Sequence, residues 1–358
     1  MTITLIIMSA VALAAVGLYL KERVSGGRQR LQWKNIHNNL KGDVASLSEK
    51  LKKAEDAASA AAKESESLRR FASSWEQDAN RLRTSLESHR LRYSCMVQNL
   101  VSLQRTVFTE PGQIKPLFSD FFLLYKPFDA LGGDFYKITS DGDHILAACG
   151  NCGISGAAGF VKGVQNVAML EDIIFKKGLA NIQAGEILDF LRTRYAHAAE
   201  RDGIRHDADE DVPVNFTVCI INQKERTLSY AGAYGSLCLI RKAYPGTSRR
   251  EVDVHEFCGD KMNFAVSFGR RKNYTTETIE LEKDDKLYLK TDGYANQRGG
   301  SSNARYGDQY LRQLFMKNAN APMLDQRKAY EQEFDNWRGS NRGNDILVIG
   351  LALKVAGK

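Results

Sequence analysis

The sequence predicts an α+β layered fold, carried at the end of a long helix that begins near an apolar amino terminus. Three observations predict it. Residues 3–20 carry no charge; apolar residues recur in a 3-4 alternation from Val44 to Val107; and beyond Pro111-Gly112 short strand patterns are mostly joined as hairpins while the helical patterns are grouped apart. A composition of 43% hydrophobic and 26% charged residues over 358 positions is that of a folded protein and excludes disorder throughout. The six cysteines are scattered, several in strand-like runs, which reads as free thiols in a reducing compartment.

At ~1.5 Å per residue, residues 3–20 reach ~27 Å, close to a bilayer core, so residues 1–20 are expected to form a transmembrane anchor. A cleaved signal peptide competes, because Ala10, Ala12 and Ala14 mimic a cleavage site, but no Lys or Arg precedes the run. Lys21, Arg23, Arg28 and Arg30 follow it, and the positive-inside rule then leaves everything downstream in the cytoplasm. The net charge is +7, yet residues 1–110 hold 17 Lys/Arg against 11 Asp/Glu, while the remainder is nearly balanced. The excess therefore sits beside the apolar run, where it suits anionic lipid. Residues 21–43 read as a basic juxtamembrane segment, and nucleic acid is not an expected partner because no recognised motif accompanies the charge.

Residues 44–108 hold nine consecutive heptads without Pro or Gly, with only Ser65 and His89 polar in the seam. This predicts a coiled coil about 95 Å long, parallel because both chains would leave the same membrane, and hence a homodimer. A helix folded back on its own domain would want an apolar face broader than two positions in seven. Ala54, Ala58, Ala61, Ala72 and Ala79 bury little area and make part of the seam weak. His89 is read as a partly exposed seam residue rather than a pH switch.

In the globular region, 111–358, strands are predicted at Phe121–Leu124, Gly133–Ile138, His144–Ala148, Phe216–Asn222, Thr227–Ala231, Leu237–Arg241, Thr276–Leu281, Lys286–Lys290 and Ile346–Leu353. Helices are predicted at Gly156–Lys177, Glu186–Ala199, 308–317 and 324–337, with Pro111-Gly112 closing the stalk helix. Three stretches carry chemistry: Leu131-Gly-Gly-Asp-Phe-Tyr136, Lys290-Thr-Asp-Gly-Tyr294 and Gly343-Asn-Asp-Ile-Leu-Val-Ile-Gly350. Asp134, Asp292 and Asp345, projecting from separate strand ends, are what a hard divalent cation needs, because Mg²⁺ and Mn²⁺ take oxygen ligands.

In this order and spacing the stretches resemble the PPM superfamily of metal-dependent serine/threonine protein phosphatases, in its SpoIIE branch, over about residues 115–353. Tyr125-Lys-Pro-Phe-Asp129, Gly153-Ile-Ser-Gly-Ala157, Gly259-Asp-Lys-Met262 and Leu287-Tyr-Leu-Lys-Thr-Asp-Gly-Tyr294 add to the match, and its motif glycines are Gly132, Gly133, Gly153, Gly156 and Gly293. The resemblance implies an α-β-β-α sandwich, two stacked antiparallel sheets flanked by helices. It also implies hydrolysis of phosphoserine or phosphothreonine by water activated between two Mn²⁺ or Mg²⁺ ions. For a bacterial chain of this kind the anchor means a single pass through the inner membrane, with the globular domain in the cytoplasm.

The resemblance breaks at the site itself. Such domains follow their third strand with Asp-x-x-Gly-His-Gly, whose Asp bridges both ions; alignment places Ala148 at that Asp, Asn151 at the first Gly and Cys152 at the His. Asn344 stands at the ligand Asp that precedes the last strand. Asp134 and Asp292 remain, with Asp345 as a substitute ligand, and two dications lacking a bridging anion repel each other. The expectation is one weakly held Mn²⁺ or Mg²⁺ ion, or none. The function expected is that of a membrane-anchored signalling protein whose feeble or inactive phosphatase-like domain binds a phosphoprotein or signalling partner. An active Mn/Mg-dependent phosphatase and a structural tether in an envelope assembly are the alternatives. Cys149-Gly-Asn-Cys152 lacks a βαβ context or a second ligand pair and reads as incidental thiols. The acidic run from Asp202 to Asp211, with His206, reads as a solvated loop.

Overall fold

The computed structural model describes residues 11–12, 14–19, 27–201, 215–243, 252–262, 264, 272–341 and 343–354. They fall into two compact units, Met1–Leu91 and Arg92–Lys358. Of the expected anchor, residues 1–10, 13 and 20 lie outside the described residues, while 11–12 and 14–19 are helical. Among the described residues no helix is long and apolar enough to cross a membrane. The acidic run 202–211 also lies outside them.

Helix α1, Gly27–Val107, holds 81 residues, ~120 Å by helical rise. It begins upstream of Val44, so the basic segment is helical from residue 27 onward; it holds no proline to stop it. Along the first unit the seam positions Leu47, Leu68, Trp75, Leu82 and Leu86 are 57–71% exposed in the single chain. That is an unpartnered apolar stripe. The exposed faces carry i,i+4 pairs such as Glu49–Lys53 and Glu66–Arg70, each a small contribution to helix stability.

In the second unit α1 stops at Val107, earlier than Pro111-Gly112 was expected to close it. Pro111 instead opens a short helix α2, Pro111–Ile114, where a residue with fixed φ and no N–H suits the first turn; Glu110 and Gln113 cap it reciprocally. The chain continues through β1 (Asp120–Lys126), β2 (Asp134–Asp141), β3 (His144–Asn151), α3 (Gly156–Lys177), α4 (Ala184–Arg201), β4 (Asn215–Asn222), β5 (Thr227–Ala233), β6 (Ser236–Lys242) and β7 (Val252–Cys258). Then come β8 (Glu277–Glu280), β9 (Lys286–Lys290), α5 (Gly293–Asn296), the short pair β10 (Arg298–Gly299) and β11 (Ala304–Arg305), α6 (Asp308–Asn318), α7 (Met323–Arg338) and β12 (Ile346–Ala352). Strand β7 was not expected from the sequence. Among the described residues it pairs only with β6, at the sheet edge, and its Asp253, His255 and Glu256 blunt the alternation that marks a strand.

Two five-stranded antiparallel sheets result, in the orders β1-β12-β9-β6-β7 and β2-β3-β4-β5-β8. The central strands of the first sheet are apolar on both faces because both are covered. In β12, Leu347, Ile349 and Leu351 join the core shared with the second sheet, whereas Ile346 and Val348 join a second core with Leu311, Phe315, Tyr330 and Phe334 of α6 and α7. Strand β9 divides the same way, Leu287 and Leu289 against Tyr288. Phe160, Val167 and Leu170 of α3 and Ile187, Leu188 and Leu191 of α4 complete the larger core. Helices therefore cover the outer face of each sheet, as expected.

Candidate functional site

One open cleft of about 500 Å³ gathers the ends of four segments: the C-terminus of β3, the loop into α3, the β9–α5 turn and the approach to β12. Asn151, Ser155, Asp292, Asn296, Asn344 and Asp345 line it. Behind it lies Asp134, at the start of β2 and 1% exposed. The hairpin between β2 and β3 turns at Gly142-Asp143 and sets Asp134 directly opposite Asn151.

Both oxygens of Asp134 are engaged. Oδ1 accepts from Asn151 Nδ2 at 2.5 Å and Oδ2 from Thr291 Oγ1 at 2.8 Å. Burial pushes the carboxyl up from 3.8 to about 7, against these two hydrogen bonds, which favour the anion. The native state therefore holds a proton that the unfolded chain has lost between those values, so this group's contribution to stability falls as pH rises from about 4 to about 7. The difference in unfolding free energy between wild type and Asp134→Asn should follow that slope in denaturant titrations across the interval. A difference independent of pH would contradict it.

Asp345, also buried, accepts from the backbone N–H groups of Phe128 at 2.7 Å and Gly133 at 2.8 Å. It ties the loop ahead of β2 to the start of β12, and its oxygens face these donors. Asp292 stands at the N-cap position of α5 in the cleft and accepts from Asn296 Nδ2 at 2.8 Å. Asn344 donates from Nδ2 to the Gly293 carbonyl at 3.3 Å, and its backbone N–H donates to Gln297 Oε1 at 3.0 Å. The turn itself needs glycine: a Cβ on Gly293 would lie 1.8 Å from the Asp345 carbonyl oxygen, and one on Gly133 2.0 Å from that of Ile154. Gly132 packs against the Asp345 carboxylate, and Gly153 and Gly156 hold positive φ in the loop into α3.

The structure thus brings Asp292, Asp345 and Asn344 to one cleft, with Asp134 behind it, and corrects the placement of Ala148. That residue is fully buried in mid-strand, paired with Lys137 and Val218, and does not line the cleft. Asn151, three residues on, faces Asp134 instead. Sequence reasoning missed the part played by Asn151 and Thr291, although the two-residue Gly142-Asp143 loop was a readable sign of the hairpin register. Cys149 and Cys152 are buried free thiols, Cys152 accepting from Asn166 Nδ2 at 3.5 Å; burial raises both, Cys152 to about 12, which leaves them unreactive.

The end of α1 reaches the site from the other side. Gln104 Nε2 donates to the Tyr125 hydroxyl at 2.7 Å, and that hydroxyl donates to the Asp134 carbonyl at 3.3 Å. Burial, with Asp134 and Asp345 nearby, keeps the phenol protonated for this bond. Phe108, 4% exposed, packs its ring on Tyr125, Tyr136 and Phe160, and Thr109 exchanges bonds with both backbone groups of Ile138.

Residues 179–354 match the family model for stage II sporulation protein E (SpoIIE). The globular part is similar to the SpoIIE family over that stretch. Its fold is shared with the SiaA PP2C domain of Pseudomonas aeruginosa, at 20% identity and a TM-score of 0.62, over 74% of this chain and 98% of that one. The PP2C phosphatase domain of the cell-fate determinant SpoIIE from Bacillus subtilis, solved with a fragment of its regulatory domain, matches at 11% identity and a TM-score of 0.52, over 67% of this chain and 64% of that one. No curated protein matches the chain in sequence. At these identities the solved structures establish the fold.

PPM phosphatases use Mn²⁺ or Mg²⁺. The side chains of the cleft are not arranged to hold such ions. Among the described residues no group of three His, Cys, Asp or Glu side chains is placed to hold one. The Asp134 carboxylate accepts from Asn151 and Thr291, and that of Asp345 from two backbone N–H groups.

Proposed function

We propose that this chain is a signalling protein whose SpoIIE-type domain binds a phosphoprotein partner without hydrolysing it, carried on a parallel dimeric stalk anchored in a bacterial inner membrane. The observation that carries the reading is the surroundings of Asp134: the side chains at its two oxygens are the donors Asn151 and Thr291, and among the described residues no group of three His, Cys, Asp or Glu side chains is placed to hold a metal ion. The cleft supports binding of a peptide segment, since Asn151, Ser155, Asn296 and Asn344 line it with neutral polar groups beside the acids Asp292 and Asp345. The exposed seam of α1 supports the dimer, and the uncharged residues 3–20 support the anchor. The contact from Gln104 through Tyr125 to Asp134 supports a stalk that reports on the cleft.

The test is hydrolysis of a phosphoserine peptide by the purified full-length chain with Mn²⁺, with Asp292→Ala as background. Turnover no faster than that variant is expected. Turnover lost in Asp292→Ala would instead make the chain an active phosphatase with a rearranged site.

A further inference from the structure

Two acid–amide pairs meet at the cleft, one of them from behind it. Asp134 faces Asn151 across the β2–β3 hairpin, and Asn344 bonds the turn that begins at Asp292. The orientation of the Asn151 amide is settled by its second bond: Oδ1 accepts from the Gly153 N–H at 2.5 Å, so the NH₂ end must point at Asp134. A cation bound to Asp134 Oδ1 would sit ~2.0–2.2 Å from that oxygen, in the space where the amide nitrogen stands.

We propose that the Asn151 amide is a built-in substitute for a cation, and that exchanging NH₂ for O at Asn151 and Asn344 turns this cleft into a divalent-metal site. The inference rests on the non-hydrolytic reading above. In the wild type Asn151 presents protons to Asp134 where a metal site would present positive charge, so the carboxylate is satisfied and no ion is needed. An aspartate at 151, held in the same orientation by the Gly153 N–H, would set oxygen against oxygen about 2.5 Å apart. Two carboxylates that close need a proton or a cation between them. An aspartate at 344 adds a third acid beside Asp292, and three to four carboxylates from separate strand ends suit Mn²⁺. Ala148 has no part in this: an acid there would lie within the closed core, away from the cleft.

The experiment is Mn²⁺ titration of the full-length chain by calorimetry and thermal unfolding in five forms: wild type, Asn151→Asp, Asn344→Asp, Asn151→Asp with Asn344→Asp, and Ala148→Asp with Asn344→Asp. At Mn²⁺ about 100-fold above its Kd, the Asn151→Asp/Asn344→Asp midpoint should rise by roughly 5–10 °C. Asn151→Asp alone should respond in the same direction but less, and wild type and the Ala148 double variant not at all. If charge repulsion leaves either Asn151 variant unfolded without metal, Mn²⁺ should restore its folded signal. Absence of any Mn²⁺ response in both Asn151 variants, folded or not, would overturn the proposal, as would a response of the Ala148 double variant or an equal one in wild type. The reading of the wild type as non-hydrolytic is decided separately by the phosphopeptide assay, so the two can fail independently.

Discussion

Replacing Asp345 by alanine is expected to destabilise the globular unit by roughly 2–5 kcal/mol, since two backbone N–H groups lose their acceptor inside the protein. Those of Phe128 and Gly133 both end on this carboxylate, one on each oxygen. The position is 7% exposed, so water has little access to replace the lost bonds. Asp345→Asn should cost less, because the amide keeps one acceptor oxygen and loses the other. Denaturant unfolding of the three forms at neutral pH checks both the size and the order. Equal stability of Asp345→Ala and wild type would mean that the carboxylate is free to serve as a ligand after all.

Phe108→Ala is expected to cost about 3–5 kcal/mol by leaving a cavity where the ring was. The ring centroid lies 5.2 Å from that of Tyr136, 6.0 Å from Phe160 and 6.1 Å from Tyr125, so the loss falls at the junction of the stalk helix with β1, β2 and α3. Phe108→Leu should recover most of it. Thermal unfolding followed by near-ultraviolet circular dichroism reads both the stability and the order of the neighbouring tyrosines. If Phe108→Ala unfolded with the midpoint of wild type, the helix end would not be part of the domain core, and the route from Gln104 to Asp134 would lose its support.

Much of the fold was legible because its strands declare themselves. Strands such as β9 and β12 are buried on both faces and read as continuous apolar runs, and α3 and α4 show helical spacing over their whole lengths. Edge strand β7 was not legible, since one covered side and several charges leave little periodicity. The turn at Pro111 was misread for a related reason: proline excludes the helix interior but favours a helix start, and the sequence alone leaves that choice to what precedes it.

The acids of the cleft were legible one by one, but not their relation. Motif alignment put Ala148 where a ligand should stand, whereas the two-residue turn at Gly142-Asp143 counts Asp134 across to Asn151. Register is set by turn geometry, and a shift of three residues moves a side chain from core to cleft. Asp345 looked like a spare ligand because its type and place suit one; only its partners reveal that it secures the backbone. Thr291 stands inside the Lys290-Thr-Asp-Gly-Tyr294 stretch, but nothing in the sequence says that its hydroxyl reaches Asp134.

The central claim is that the wild-type cleft has no use for a metal ion. Titration calorimetry of Mn²⁺ into the full-length wild-type chain tests it most directly. No saturable heat above that of Asp134→Asn is expected, with Asn151 and Thr291 holding the Asp134 carboxylate as the structure shows. A stoichiometric binding isotherm, displaced by Mg²⁺ and lost in Asp134→Asn, would contradict it.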